Sequence, residues 1–148
     1  MRATRRVYPE GMRGIVLLAL AVAALAAGGS ALAGVGSGIT LLRITYWEKG
    51  IDAGEPVRWT LRCDPPGGTL PRPAVACRRI AAGGLRLFVP IPSDMACTQI
   101  YGGPQVARVA GVVFGRRVWV TFNRQDGCEI ARWNRVSPWL LPPAGVAS

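Results

Sequence analysis

The sequence predicts an α+β domain, a five-stranded antiparallel sheet with two helices packed on one face. Three observations predict it. Pro56–Cys63 alternates, with Val57, Trp59, Leu61 and Cys63 on one side and Arg58, Thr60 and Arg62 on the other, the pattern of a strand with one buried face. Val106–Phe114 and Arg117–Arg124 flank Gly115 as an antiparallel hairpin. Two short segments, Pro73–Ala82 and Cys128–Trp133, carry helix signals. Helices that must bury one stripe against an antiparallel sheet give this class.

Taken in order, residues 1–33 have the composition of a signal peptide. Arg2, Arg5, Arg6 and Arg13 precede an apolar run from Ile15 to Ala27, and Ala31-Leu32-Ala33 is an A-x-A cleavage pattern. The run is shorter than the roughly 20 residues of a membrane-spanning helix. Export to the extracellular medium is expected, with no membrane association after cleavage. An uncleaved anchor, a twin-arginine route through Arg5-Arg6 and a start at Met12 are the alternatives. Residues 34–40 read as a flexible arm, and residues 41–148 as one folded domain.

Leu41–Glu48 is rich in β-branched and aromatic residues and predicts the first strand of that domain. Asp64-Pro65-Pro66-Gly67-Gly68 ends the Pro56–Cys63 strand in a loop. Pro73 suits a first helical turn and Gly83-Gly84 an exit. Ala74, Cys77 and Ala81 would share the buried face of that helix. Leu85–Ile91 is expected to be extended, and Ser93–Pro104 to be a loop. Asp126 followed by Glu129 resembles a capping box for the second helix. Trp139–Leu141 is expected to be a last, edge strand.

Composition excludes several functions. The chain has no histidine, so a Ser-His-Asp or Cys-His catalytic set is impossible. Zinc has neither histidine nor a C-x-x-C pair to bind. The carboxylates Glu48, Asp52, Glu55, Asp64, Asp94, Asp126 and Glu129 sit mostly in turns and caps, and none is marked as half of a catalytic pair. No Gly-rich phosphate loop joins a strand to a helix. Neither an enzyme, nor a cofactor, nor a metal site is expected. Trp47, Trp59, Trp119, Trp133 and Trp139 are expected to pack in the core and between helix and sheet. The net charge is +10 for the whole chain, nearly all of it arginine. These arginines are scattered through strands and turns, so no specific nucleic-acid partner is expected.

Four cysteines, Cys63, Cys77, Cys97 and Cys128, lie after the leader. An even number in a small exported chain implies disulfides, with three possible connectivities. Cys97 ties down the segment Asp94–Pro104, the one loop with the length and polarity to act on a partner.

These cysteine spacings, with Cys97-Thr98-Gln99-Ile100-Tyr101, Val109-Ala110-Gly111, Gly115-Arg116-Arg117-Val118, Phe122 and Gly127-Cys128-Glu129, resemble the Streptomyces subtilisin inhibitor family from about Leu41 to Trp139. The resemblance implies Cys63–Cys77 and Cys97–Cys128 pairing and a homodimer formed through the sheet. It also implies a disulfide-clamped reactive loop, Ala96, Cys97, Thr98, Gln99, Ile100 and Tyr101, that enters the active site of a subtilisin-like serine protease. Gln99 falls at the position that fills the protease's primary pocket, so Gln99–Ile100 is the implied reactive bond. Family members often carry proline at the Thr98 position and methionine, lysine or arginine at Gln99. Gly102-Gly103 makes this loop one residue longer than in the best-known members. No Lys or Arg lies between Cys97 and Val106, so a trypsin-like target is not expected. A second role class is an exported interaction protein with this fold and no protease target, in which Gln99 serves as an acyl donor for a transglutaminase.

Overall fold

A computed structural model describes residues 38–143; the leader and most of the arm lie outside them. Five strands form one antiparallel sheet: β1 (Leu41–Trp47), β2 (Val57–Cys63), β3 (Pro66–Gly67), β4 (Val106–Val113) and β5 (Arg116–Phe122), in the order β3-β2-β1-β4-β5. Helix α1 (Pro73–Gly83) follows β3, and helix α2 (Gly127–Val136) follows β5. The predicted class, a five-stranded antiparallel sheet with two helices, is present, and both helices and four of the strands fall where the sequence places them.

β1 is central, pairing Ile44 with Trp59 on one side and with Val109 on the other. Its alternation is strict: Leu42, Ile44 and Tyr46 are buried. The hairpin closes on Phe114 and Gly115, both at positive φ (50° and 77°). That is the two-residue turn whose twist matches the strands it joins. The chain before β1 fastens this turn. Thr40 is buried and its Oγ1 accepts from Phe114 N–H, while the carbonyl of Ile39 accepts from Gly115 N–H.

One core lies between the inner sheet face and the two helices. Ile80 and Ala76 of α1, Trp133 and Val136 of α2, and Leu61, Val109, Val120 and Phe122 of the sheet form a single buried cluster. Tyr46 sits between Trp59 and Trp133, with ring centroids 6.0 and 6.2 Å away. Burial, with Glu48 adding to it, raises the Tyr46 phenol above its usual range.

Several elements differ from expectation. Leu85–Ile91 is not extended: Gly84–Phe88 forms a 3-10 helix. Leu85 and Phe88, three apart, then fall on the same side. Trp139–Leu141 is not a strand. Leu140 and Leu141 N–H both donate to the carbonyl of Val136, so the chain turns back on α2 and buries all three side chains. The fifth strand is instead Pro66–Gly67, inside the expected loop. The buried face of α1 is set by Ala76 and Ile80, with Ala74 and Ala81 exposed, because Ile80 is the bulkiest apolar side chain of the helix and takes the core. Val57 lies at the open end of β2 and is exposed, and Trp119 is 73% exposed on the outer sheet face rather than packed.

Candidate functional site

The segment from Val89 to Gln105 has no helix or strand, yet it is tied to the fold at both ends of its central portion. Cys97 is bonded to Cys128 at the start of α2, with Cα atoms 5.5 Å apart. Cys63 is bonded to Cys77, joining β2 to α1. Of the three connectivities, this is the one the resemblance implied.

Helix α2 begins where it does because Asp126 caps it: Asp126 Oδ1 accepts from Glu129 N–H at 2.9 Å, the bond that orphan helix donors need. The reciprocal half of a capping box is missing, since the Glu129 carboxylate accepts from Arg132 instead. The capped first turn presents Gly127 to the loop, and Gly127 N–H donates to the carbonyl of Thr98 at 2.9 Å. A side chain at Gly127 would run into Thr98 Oγ1. Glycine is a poor helix former, and here close approach to the loop requires it.

Four residues further on the loop is fixed again. Gly102 N–H donates to the carbonyl of Arg124 at 2.8 Å, and Arg124 Nη1 donates to Gln105 Oε1 at 3.1 Å. Gly102 lies against the Ile130 side chain, where a Cβ would come within 2.8 Å of Cδ1. The Gly102-Gly103 pair is therefore anchored to the segment that follows β5 and to α2.

Between these anchors, Gln99, Ile100 and Tyr101 project outward. Ile100 and Tyr101 are 59% and 66% exposed, and Gln99 is also exposed. Ile100 N–H donates to the carbonyl of Thr98 at 2.9 Å, which makes Gln99 the apex of a three-residue turn. Gln99 Nε2 folds back toward the carbonyl of Cys97 at 3.4 Å. The predicted residues Ala96–Tyr101 are thus contiguous at one exposed ridge. Sequence reasoning missed Gly127, Arg124 and Gln105, which hold that ridge from below. A glycine in the first turn of a helix, next to a cysteine, was the available signal for the first of them.

The arrangement offers peptide backbone and three free side chains to a partner. Among the described residues the only metal-compatible grouping, Cys97, Asp126 and Cys128, uses the two sulfurs of a disulfide and has no thiolate to give a metal. No helix among the described residues is long and apolar enough to cross a membrane.

A family model described as subtilisin inhibitor-like matches residues 39–125, more than half of the chain, including the loop and three of the four cysteines. No curated protein matches the chain. Among solved structures, it is similar to Streptomyces caespitosus sermetstatin, determined in complex with Bacillus licheniformis subtilisin. Sequence identity is 25% and the TM-score 0.48, over 70% of this chain and 98% of that one. The extent of the family match, with a fold and disulfides of the kind the resemblance implied, establishes that the chain belongs to the subtilisin inhibitor-like family, a family of inhibitors and not of enzymes.

Proposed function

We propose that this protein is a secreted inhibitor of subtilisin-like serine endopeptidases, and that it enters the protease active site with residues 96–101, Gln99–Ile100 being the reactive bond. The observation that carries the proposal is the contrast between an exposed Gln99-Ile100-Tyr101 and flanks held by the Cys97–Cys128 bridge, Gly127 and Arg124. A protease takes an extended peptide as an added strand. Ala96, Thr98 and Gln99 would meet successive pockets. A loop already fixed at both flanks loses little further conformational entropy on binding. After attack on Gln99–Ile100, the same anchors hold the two new ends together. Religation then competes with escape of the ends, and the complex outlives the chemistry.

The test is titration of the purified, oxidised protein, residues 34–148, against active subtilisin, with mass spectrometry of the mixture. Stoichiometric loss of protease activity with slow cleavage confined to Gln99–Ile100 is expected. Rapid cleavage without inhibition would sink the proposal.

Two substitutions sharpen it. Gln99→Leu is expected to tighten inhibition about tenfold, because an apolar side chain entering a pocket gains about 1.5 kcal/mol or more over one that must shed water from its amide. The inhibition constant reads this directly. Unchanged inhibition, with transglutaminase crosslinking lost, would favour the acyl-donor role instead. Gly127→Val places a branched side chain where Thr98 sits. It is expected to accelerate cleavage at Gln99–Ile100 by at least about tenfold, the equivalent of one lost anchoring hydrogen bond of about 1.4 kcal/mol. Circular dichroism should show the fold retained; an unaltered cleavage rate would mean that Gly127 does not support the loop.

A further inference from the structure

The two sides of Gln99–Ile100 are held by different means. Upstream, Cys97 is covalently tied to Cys128, and Thr98 accepts a hydrogen bond from Gly127 N–H. Downstream there is no covalent tie. Among the described residues, two hydrogen bonds join Ile100–Gln105 to the fold beyond the loop, and Arg124 makes both. Its carbonyl accepts from Gly102 N–H at 2.8 Å, and its Nη1 donates to Gln105 Oε1 at 3.1 Å.

The guanidinium forms the floor between these two bonds. A Cβ at Gly102 would stand 3.2 Å from Arg124 Nη2, and one at Gly103 would stand 3.2 Å from Nη1. Gly103 is also at φ 128°, where a side chain is strained. The glycine pair thus lets the backbone descend onto the cation. Arg124 Nε is buried and has no hydrogen-bond partner in the protein, a cost that an arginine turned to solvent avoids. The one ion pair among the described residues is Arg132–Glu129, so no carboxylate draws Arg124 to this place. What it grips there is the loop.

On the reading that Gln99–Ile100 is the reactive bond, we propose that Arg124 is a positioning residue that retains the amine side of that bond after cleavage and so sets the balance between cleaved and intact inhibitor. Attack joins the Gln99 carbonyl carbon to the protease serine oxygen, and the serine proton passes to the Ile100 nitrogen, which leaves as an amine. Return of that amine expels the serine oxygen and restores the peptide bond. Water in its place yields the Gln99 carboxylate and completes hydrolysis. The outcome depends on how near the amine stays. Six residues, Ile100–Gln105, separate it from β4, and extended they reach about 20 Å. With Gly102 pinned, only Ile100 and Tyr101 swing free, over about 7 Å. The volume open to the amine shrinks with the cube of that reach, so its local concentration rises roughly twentyfold.

The experiment measures the cleaved-to-intact ratio at Gln99–Ile100 at equilibrium. The oxidised protein, residues 34–148, is incubated with a catalytic amount of subtilisin, starting separately from intact and from cleaved material, and mass spectrometry reads the one added water. Arg124→Ala is expected to raise the ratio about tenfold, and Gln105→Ala to raise it in the same direction. The double variant should go no further than Arg124→Ala alone, because the two side chains act as one contact. Gln105→Glu should lower the ratio, since a carboxylate accepts a stronger, charge-assisted bond from the guanidinium. Arg124→Lys should rescue only in part, because an ammonium has no fork to span both glycines. A residue that merely stabilised the fold would lower the melting temperature and leave the ratio unmoved. An unchanged ratio in Arg124→Ala, with inhibition by the parent protein intact, therefore overturns the role of Arg124 alone. If Arg124→Ala fails to fold, the Gln105 variants decide: no shift in either overturns the proposal. A parent protein that neither inhibits subtilisin nor is cleaved at Gln99–Ile100 would instead overturn the inhibitor reading, and this role with it.

Discussion

Replacing both Cys97 and Cys128 with serine is expected to convert the protein from an inhibitor into a substrate. The bridge spans 31 residues in sequence, and in the chain-entropy account a loop of that size is worth about 3.5 kcal/mol. A fall of roughly 10–15 °C in melting temperature should follow for a domain of about 110 residues. The functional loss comes from the same source. With the bridge gone, Thr98 is held to α2 by its hydrogen bond from Gly127 alone, and the newly cut ends diffuse apart faster than they rejoin. Cleavage at Gln99–Ile100 should accelerate about a hundredfold, the kinetic equivalent of some 3 kcal/mol. Calorimetry and timed mass spectrometry measure the two effects separately. Intact, tight inhibition by the serine variant would show that the hydrogen-bonded anchors suffice, and the bridge would then be a stability device only.

The second large effect is expected at Glu129→Ala. Arg132 is only 3% exposed. Its Nη1 donates to the carbonyl of Thr121 and to both Glu129 carboxylate oxygens, at 2.8 and 3.1 Å. The guanidinium carbon sits 4.4 Å from the centroid of Phe122, and Nε and Nη2 have no protein partner. A cation in such a place is tolerable because a carboxylate faces it. Removing Glu129 leaves the charge buried and uncompensated, which costs about 3–5 kcal/mol. The Glu129 side chain keeps some solvent contact, so about 3 kcal/mol is expected. The pair Glu129→Ala with Arg132→Leu should recover most of that loss, because the charge leaves with its partner. Urea unfolding of the single and double variants checks this. A single-variant loss below about 1 kcal/mol would mean that water already solvates the guanidinium.

Period-two alternation made β2 and β5 legible in the sequence, while β1 was legible from its β-branched and aromatic residues and the β4–β5 hairpin from two such runs around Gly115. Asp126 and Glu129 likewise marked the start of α2. The misses share a cause. Trp139–Leu141 is buried throughout, which removes the periodicity that separates strand from turn, and Leu85–Phe88 is too short for its spacing to separate strand from 3-10 helix. β3 is two residues long and is created by pairing with β2, which no local signal reports. At the site, the outward residues were legible from Cys97 and the resemblance. Arg124, Gln105 and Gly127 were not, because their role depends on which segments lie beneath the loop.

The two bridges also fix when this fold can exist. Each ties a helix to another part of the structure, Cys77 of α1 to β2 and Cys128 of α2 to the loop. Together they represent about 6–7 kcal/mol in the chain-entropy account, close to the entire net stability of many domains. In a reducing compartment the thiols stay open, and the chain has little left to hold it closed. Oxidation would then act as a clock, leaving the polypeptide slack while its thiols are reduced and setting the ridge at Gln99 only once the bridges close.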